Sequence, residues 1–170
     1  MNLRLACKED LPQLKAVYKK IIENMDRNNI RIWDDVYPCE FFGDDMEHNR
    51  LYVLTDGDEI ISAFALCESN SGEGCVNWIN GNDKALYIDR FGVNVNYLRQ
   101  GIGSAALCQA AAAARELGAG SLRLFVVDIN EPAVRLYEKN GFERADGIYD
   151  ERIDEDLVLH EFGFEKKLSL

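Results

Sequence analysis

The stretch that decides the reading is Arg99-Gln100-Gly101-Ile102-Gly103-Ser104, which follows a strand pattern and a short turn and opens a helical one. Two glycines one residue apart at a helix entry let the main chain approach a ligand closely. The first N–H groups of a helix have no partner within it, and the helix dipole draws an anion such as a phosphate to them. Arg99 and Gln100 bring a cation and a neutral donor to the same point. Residues 99–104 therefore read as an anion-binding loop. Glycines that serve only packing at a helix entry are the plainer alternative.

The run from Gly101 to Ala106 also fits the dinucleotide pattern G-x-G-x-x-[GA], and Asp128 follows the next strand at about the right remove. Architecture speaks against it. A dinucleotide-binding half begins with this strand, whereas here a long N-terminal stretch of another pattern precedes it and only 42 residues follow Asp128. A Walker loop is excluded, because Gly-Lys-[Ser/Thr] occurs nowhere.

Outward from the loop, Ala85–Asn94 reads as the preceding strand and Gly101–Leu117 as the helix, closed by Gly118 and Gly120. Ser121–Val127 is an apolar strand, and Glu131–Lys139 is a helix ended by Asn140-Gly141. Strands are expected at Phe142–Ile148 and Leu157–Lys167. Toward the N-terminus, Leu3–Ala6 is a short strand, and Pro12 with the stripe Leu14, Val17, Tyr18, Ile21 and Ile22 predicts an amphipathic helix. A second short helix is expected over Cys39–His48, interrupted by Gly43. Leu51–Thr55 and Ile60–Cys67 flank a polar turn as a hairpin, and residues 69–84 read as loop. Strands and helices so mixed, with no linker to divide them, predict one α/β domain over residues 1–170.

Thirty acidic against 19 basic residues give a net charge of −11, which opposes a nucleic-acid backbone and attracts a cationic small molecule or peptide. The same charge serves solubility. No stretch is long and apolar enough to span a membrane, and charge enters too early for a signal peptide. Five cysteines without CxxC spacing, three in apolar runs (Cys7, Cys67, Cys108), read as reduced and mostly buried thiols of a cytoplasmic protein. His48 and His160 stand apart from them, so no metal site is expected.

Three segments together resemble the GNAT-superfamily N-acetyltransferases, over almost the whole chain. Arg4-Leu5-Ala6 with Asp10-Leu11 is similar to the family's first strand and helix. Phe91-Gly92-Val93-Asn94-Val95-Asn96-Tyr97-Leu98-Arg99-Gln100-Gly101-Ile102-Gly103 resembles its acetyl-CoA motif. Residues 128–142, with Asn130, Ala133, Tyr137-Glu138-Lys139 and Gly141-Phe142, resemble its next block. The sequence departs from the family at Leu98, where Arg or Gln is usual, and at Val95, where proline is common. It also has Tyr87 where some members carry a glutamate base.

The resemblance implies a mixed, mostly antiparallel sheet of six to seven strands with helices on both faces, and acetyl-CoA as cosubstrate without a metal. It implies transfer of an acetyl group to a primary amine of a small molecule or peptide, by a monomer or a homodimer. It places the Val93 N–H at the developing oxyanion, the Phe91 and Val93 main chain along the pantetheine arm, and Tyr137 as proton donor to the departing thiolate. An aromatic on the core face of its helix is the other reading of Tyr137. Asn130 would hold the pantetheine amide or phosphate region, and serves equally as a helix N-cap. For the base, period-two alternation puts Asp89 on one strand face with Tyr87, Phe91 and Val93, and Glu68 is a second candidate. Trp33, Tyr37 and Trp78, with Asp34 and Asp35 nearby, would wall the acceptor cleft; a hydrophobic cluster under a loop explains them equally. A non-catalytic acyl-CoA-binding or sensing module of the same fold is the alternative function.

Overall fold

The computed structural model describes residues 1–169. Its strands are β1 (Asn2–Leu5), β2 (Leu51–Asp56), β3 (Glu59–Cys67), β4 (Val76–Asn77), β5 (Ala85–Val93), β6 (Ser121–Val127), β7 (Glu143–Arg144), β8 (Asp146–Gly147), β9 (Tyr149–Arg152) and β10 (Val158–Lys167). The α-helices are α1 (Leu11–Arg27), α2 (Phe42–Glu47), α3 (Ile102–Glu116) and α4 (Glu131–Lys139). The described chain separates into two compact units, residues 1–66 with 90–109 and the remainder, residues 67–89 with those from 110 onward. Strand β5 and helix α3 run through both.

In the first unit the strand order is β1-β2-β3-β5, with β1, β2 and β3 antiparallel. Pro12 sits in the first turn of α1, and the expected stripe Leu14, Val17, Tyr18, Ile21 and Ile22 is buried. At about 2 kcal/mol for each fully buried aliphatic side chain, that stripe holds the helix in place. A single 3-10 turn over Cys39–Phe41 leads into α2, and Gly43 lies inside that helix without breaking it.

In the second unit the order is β5-β6-β10-β7, with β9 pairing β10. β5 and β6 are parallel, and β10 runs antiparallel to β6, β7 and β9. The main sheet thus has eight strands, mixed and mostly antiparallel. The strand expected over Phe142–Ile148 is instead broken: β7 pairs β10, while β8 turns away to β4. Ala145 separates β7 from β8, and Gly147, with φ +106°, ends β8 on its other side. The segment expected to be loop, residues 69–84, therefore contains a strand, and β9 adds another.

The cysteine expectation needs correction. Only Cys67 is buried; Cys7, Cys75 and Cys108 are exposed and Cys39 is intermediate. The inner stripe of α3 is Ala106, Ala110 and Ala114, four residues apart, so helical periodicity turns Cys108 outward.

Candidate active site

The chain leaves β5 through a 3-10 turn over Val95–Tyr97, where a proline was the expected family residue. The buried Asn94 organises this turn: its side-chain oxygen accepts from the Asn96 N–H at 3.1 Å, and its Nδ2 donates to the Ile60 carbonyl at 3.0 Å. Leu98 is 43% exposed. Arg99 and Gly101 both take left-handed backbone, at φ +61° and +78°, and the chain turns directly into α3 at Ile102. No atom lies within 4 Å of the place a Cβ would take at Gly101. The Gly101 carbonyl accepts from Ala105 N–H at 3.0 Å, closing the first helical turn. Ile102 is buried, Arg99 and Gln100 are exposed, and Gly103 and Ser104 are intermediate.

Phe91 and Val93 pack on the cluster of Leu54, Ile61, Ile102 and Ala106. The alternation expected along β5 is interrupted at Arg90, whose φ is +55°. Period-two alternation does not carry straight across a left-handed residue, and Asp89 has neighbours of its own. Asp89 accepts from Asn70 Nδ2 at 3.1 Å and stands near Glu161. Pairing of β5 with β6 runs only from Ala85–Ser121 to Ile88–Leu124, so residues 89–93 continue past the last pair.

In the first unit, Trp33 stacks on Tyr18 at 5.7 Å and meets Tyr37 edge-on at 6.4 Å, and Tyr37 meets Phe41 at 5.4 Å. Asp34 turns its carboxylate back onto the Val36 and Tyr37 N–H groups, both at 2.8 Å, which holds it below the usual carboxylate range. In the second unit, Trp78 lies under the Arg123 guanidinium at 4.5 Å and meets Tyr87 and Phe125 edge-on. It lines an open recess of about 240 Å³ with Glu68, Glu73, Asp83, Tyr87 and Arg123.

Asn130 caps α4, accepting from the Ala133 N–H at 3.4 Å. Tyr137 is buried between Phe142 and Phe164, and burial pushes its phenol well above the ordinary tyrosine range. Glu161 belongs to no motif that sequence reading singled out. Burial, a hydrogen bond shared with Glu151 and the Glu151 and Asp89 charges push its carboxyl up to about 9. Its partners reach it across strand pairings that no local motif announces.

The helix entry with left-handed Arg99 and Gly101 follows a strand that continues past its last pair with β6, and comparison with known proteins gives the class. The model of the acetyltransferase (GNAT) family matches residues 15–142, and the chain belongs to that family. It is 31% identical over 145 residues to a protein of Bacillus subtilis (strain 168) named as a putative phosphinothricin acetyltransferase, covering 84% of this chain and 83% of the relative. The fold is similar to that of a GNAT-family acetyltransferase from Streptococcus agalactiae 2603, with TM-score 0.81, 12% identity and coverage of 99% and 96%. It is also similar to a structure described as a putative phosphinothricin N-acetyltransferase, with TM-score 0.70, 21% identity and 99% of each chain covered. This chain is an N-acetyltransferase with a mixed α/β fold, and its family implies acetyl-CoA as cosubstrate. Among the described residues no cluster of His, Cys, Asp or Glu is placed to hold a metal ion, and no helix is long and apolar enough to cross a membrane.

Proposed function

We propose that the chain acts as a single cytoplasmic catalytic domain that moves the acetyl group of acetyl-CoA to a primary amine of a small molecule or peptide. The amine nitrogen attacks the thioester carbon, the C–S bond breaks, and the thiolate takes a proton while the ammonium loses one. The Val93 N–H donates to the oxyanion, and the Phe91 and Val93 main chain pairs with the pantetheine arm. The main-chain N–H groups from Gln100 to Ser104 hold the pyrophosphate, with the Arg99 charge beside them. Asn130 holds the cofactor's amide or phosphate region. Tyr137 gives the proton to the thiolate. Asp89 takes the amine's proton directly or through water, with Glu68 as the second candidate. Trp33, Tyr37 and Trp78 wall the acceptor.

The observation that carries this reading is the open, left-handed Gly101 at the head of α3, which leaves room for a phosphate at the helix entry. A panel of primary amines, phosphinothricin included, tests it with acetyl-CoA and detection of free thiol. Thiol release with at least one amine is expected. Acetyl-CoA binding with no turnover on any amine would favour the sensing module instead.

A further inference from the structure

We propose that Arg90, with Asp45 and Tyr18, is a positioning latch that sets the direction of the Phe91–Val93 main chain and thereby the rate of acetyl transfer. The inference rests on the reading above, in which the Val93 N–H receives the oxyanion. Arg90 holds a left-handed backbone, φ +55°, in the middle of a strand, which a residue with a side chain rarely does without outside support. Three supports are present. Its carbonyl accepts a short hydrogen bond from the Tyr18 hydroxyl, which also lies 3.2 Å from the Ala63 carbonyl. Its guanidinium grips Asp45 in bidentate fashion, Nε to Oδ2 at 2.7 Å and Nη2 to Oδ1 at 2.8 Å. The same guanidinium sits 5.2 Å over the Phe41 ring.

The ion pair is out of water: the Asp45 side chain is 0% exposed and that of Arg90 8%. Arg50 stands 3.2 Å from the same carboxylate. A bidentate pair in such a place fixes orientation as well as distance. Immediately downstream, the Gly92 carbonyl accepts from Ser62 Oγ at 2.7 Å and the Asn94 N–H donates to the Ile61 carbonyl at 2.9 Å. A Cβ at Gly92 would lie 2.9 Å from the Tyr18 ring, so that ring presses directly on the main chain. The segment 91–93 is therefore held on one side by the latch and on the other by β3. A left-handed residue inside a strand re-aims the residues that follow it. Loosening the latch would let the Val93 N–H drift, and a misplacement of about 1 Å in a reacting geometry is worth about a hundredfold in rate.

The test uses two variants of the full chain. Tyr18→Phe removes only the hydroxyl; Arg90→Lys keeps the buried charge but cannot span both carboxylate oxygens. For each, the melting temperature, the acetyl-CoA Kd by calorimetry and kcat at saturating substrates are measured, together with the carbonyl stretch of bound 13C-acetyl-CoA. None of the three latch residues is assigned to touch the cosubstrate, so Kd should stay within about threefold while kcat falls about tenfold to a hundredfold. The carbonyl stretch should move back toward its value in water. The proposal is overturned if kcat stays within about twofold of wild type in either folded variant, or if its loss merely tracks the unfolded fraction. A wild-type protein that binds acetyl-CoA but acetylates no amine would sink the acetyl-transfer reading, and this one with it.

Discussion

Under the proposed mechanism Tyr137 serves two purposes. Its ring packs between Phe142 and Phe164, and the burial that makes it a core residue also keeps its phenol protonated through neutral pH. A proton donor that must act before the thiolate escapes needs that state. Tyr137→Phe keeps the packing and deletes the proton. Its kcat should fall by about a hundredfold or more, with acetyl-CoA affinity nearly unchanged. Near wild-type kcat, measured where chemistry limits the rate, would reduce Tyr137 to packing. Because the shift is upward, the phenol is not the source of any alkaline loss of wild-type kcat below about pH 10. At Gly101 the space is open and the backbone is the constraint, since φ is +78°. Gly101→Ala should therefore lower stability by about 1 kcal/mol from strain alone. It should also weaken acetyl-CoA binding by placing a methyl group where the phosphate would lie; unchanged stability in a denaturant titration and unchanged Kd would refute both effects.

At the scale of elements, what the sequence shows depends on whether an element's cause is local. Helix α4 carries its own cap at Asn130 and a proline in its first turn, and α1 its stripe, so both are readable where they stand. The left-handed backbone at Arg90 is not, because the carboxylate that grips it lies 45 positions away and no glycine marks the position. The break between β7 and β8 likewise depends on β4, within a stretch that reads as loop. The candidate site divides the same way: the glycine loop and the block around Tyr137 are legible as motifs, whereas Glu161 becomes notable only beside Glu151 and Asp89. Two element-scale expectations follow. Asp10 ties the end of β1 to the start of α1, accepting from Arg4 at 2.7 and 2.8 Å and from the Cys7 N–H at 2.8 Å, and its carboxyl is held down to about 2. A depressed pKa contributes stability that is present above the unfolded value near 4 and lost as pH falls toward 2. Asp10→Asn should cost about 2 kcal/mol at pH 7 and little at pH 2, as read by urea melts at both. In the second unit, Glu165 binds the Arg123 Nε at 2.9 Å and the Asn80 N–H at 2.8 Å, and Arg123 lies over Trp78. Glu165→Ala strands a buried guanidinium and should cost about 3–5 kcal/mol in chemical denaturation; a loss under about 1 kcal/mol would show that the pair is not needed.

For the molecule as a whole, the feature to be explained is a net charge of −11 on an enzyme that must admit an amine. At neutral pH most primary amines arrive as ammonium ions, and a negative field raises their concentration near the surface while opposing the phosphates of acetyl-CoA. The local chemistry has both signs. The Trp78 recess gathers Glu68, Glu73 and Asp83, but Arg123 already covers the indole ring, so the carboxylates rather than the ring face are what an arriving cation would meet. Around Trp33 the Asp34 carboxylate is engaged by two main-chain N–H groups, and its depressed pKa keeps it charged well into the acid range. If these fields steer the acceptor, raising ionic strength from about 0.01 M to about 0.15 M shortens the screening length from about 30 to about 8 Å. The acceptor KM should then rise severalfold, and the acetyl-CoA KM should stay level or fall. The measurement is a pair of saturation curves, one in each substrate, across that salt range with the best amine from the panel. An acceptor preference for neutral or anionic amines, or an acceptor KM flat in salt, would remove electrostatic selection and leave the negative charge as a property of the surface alone.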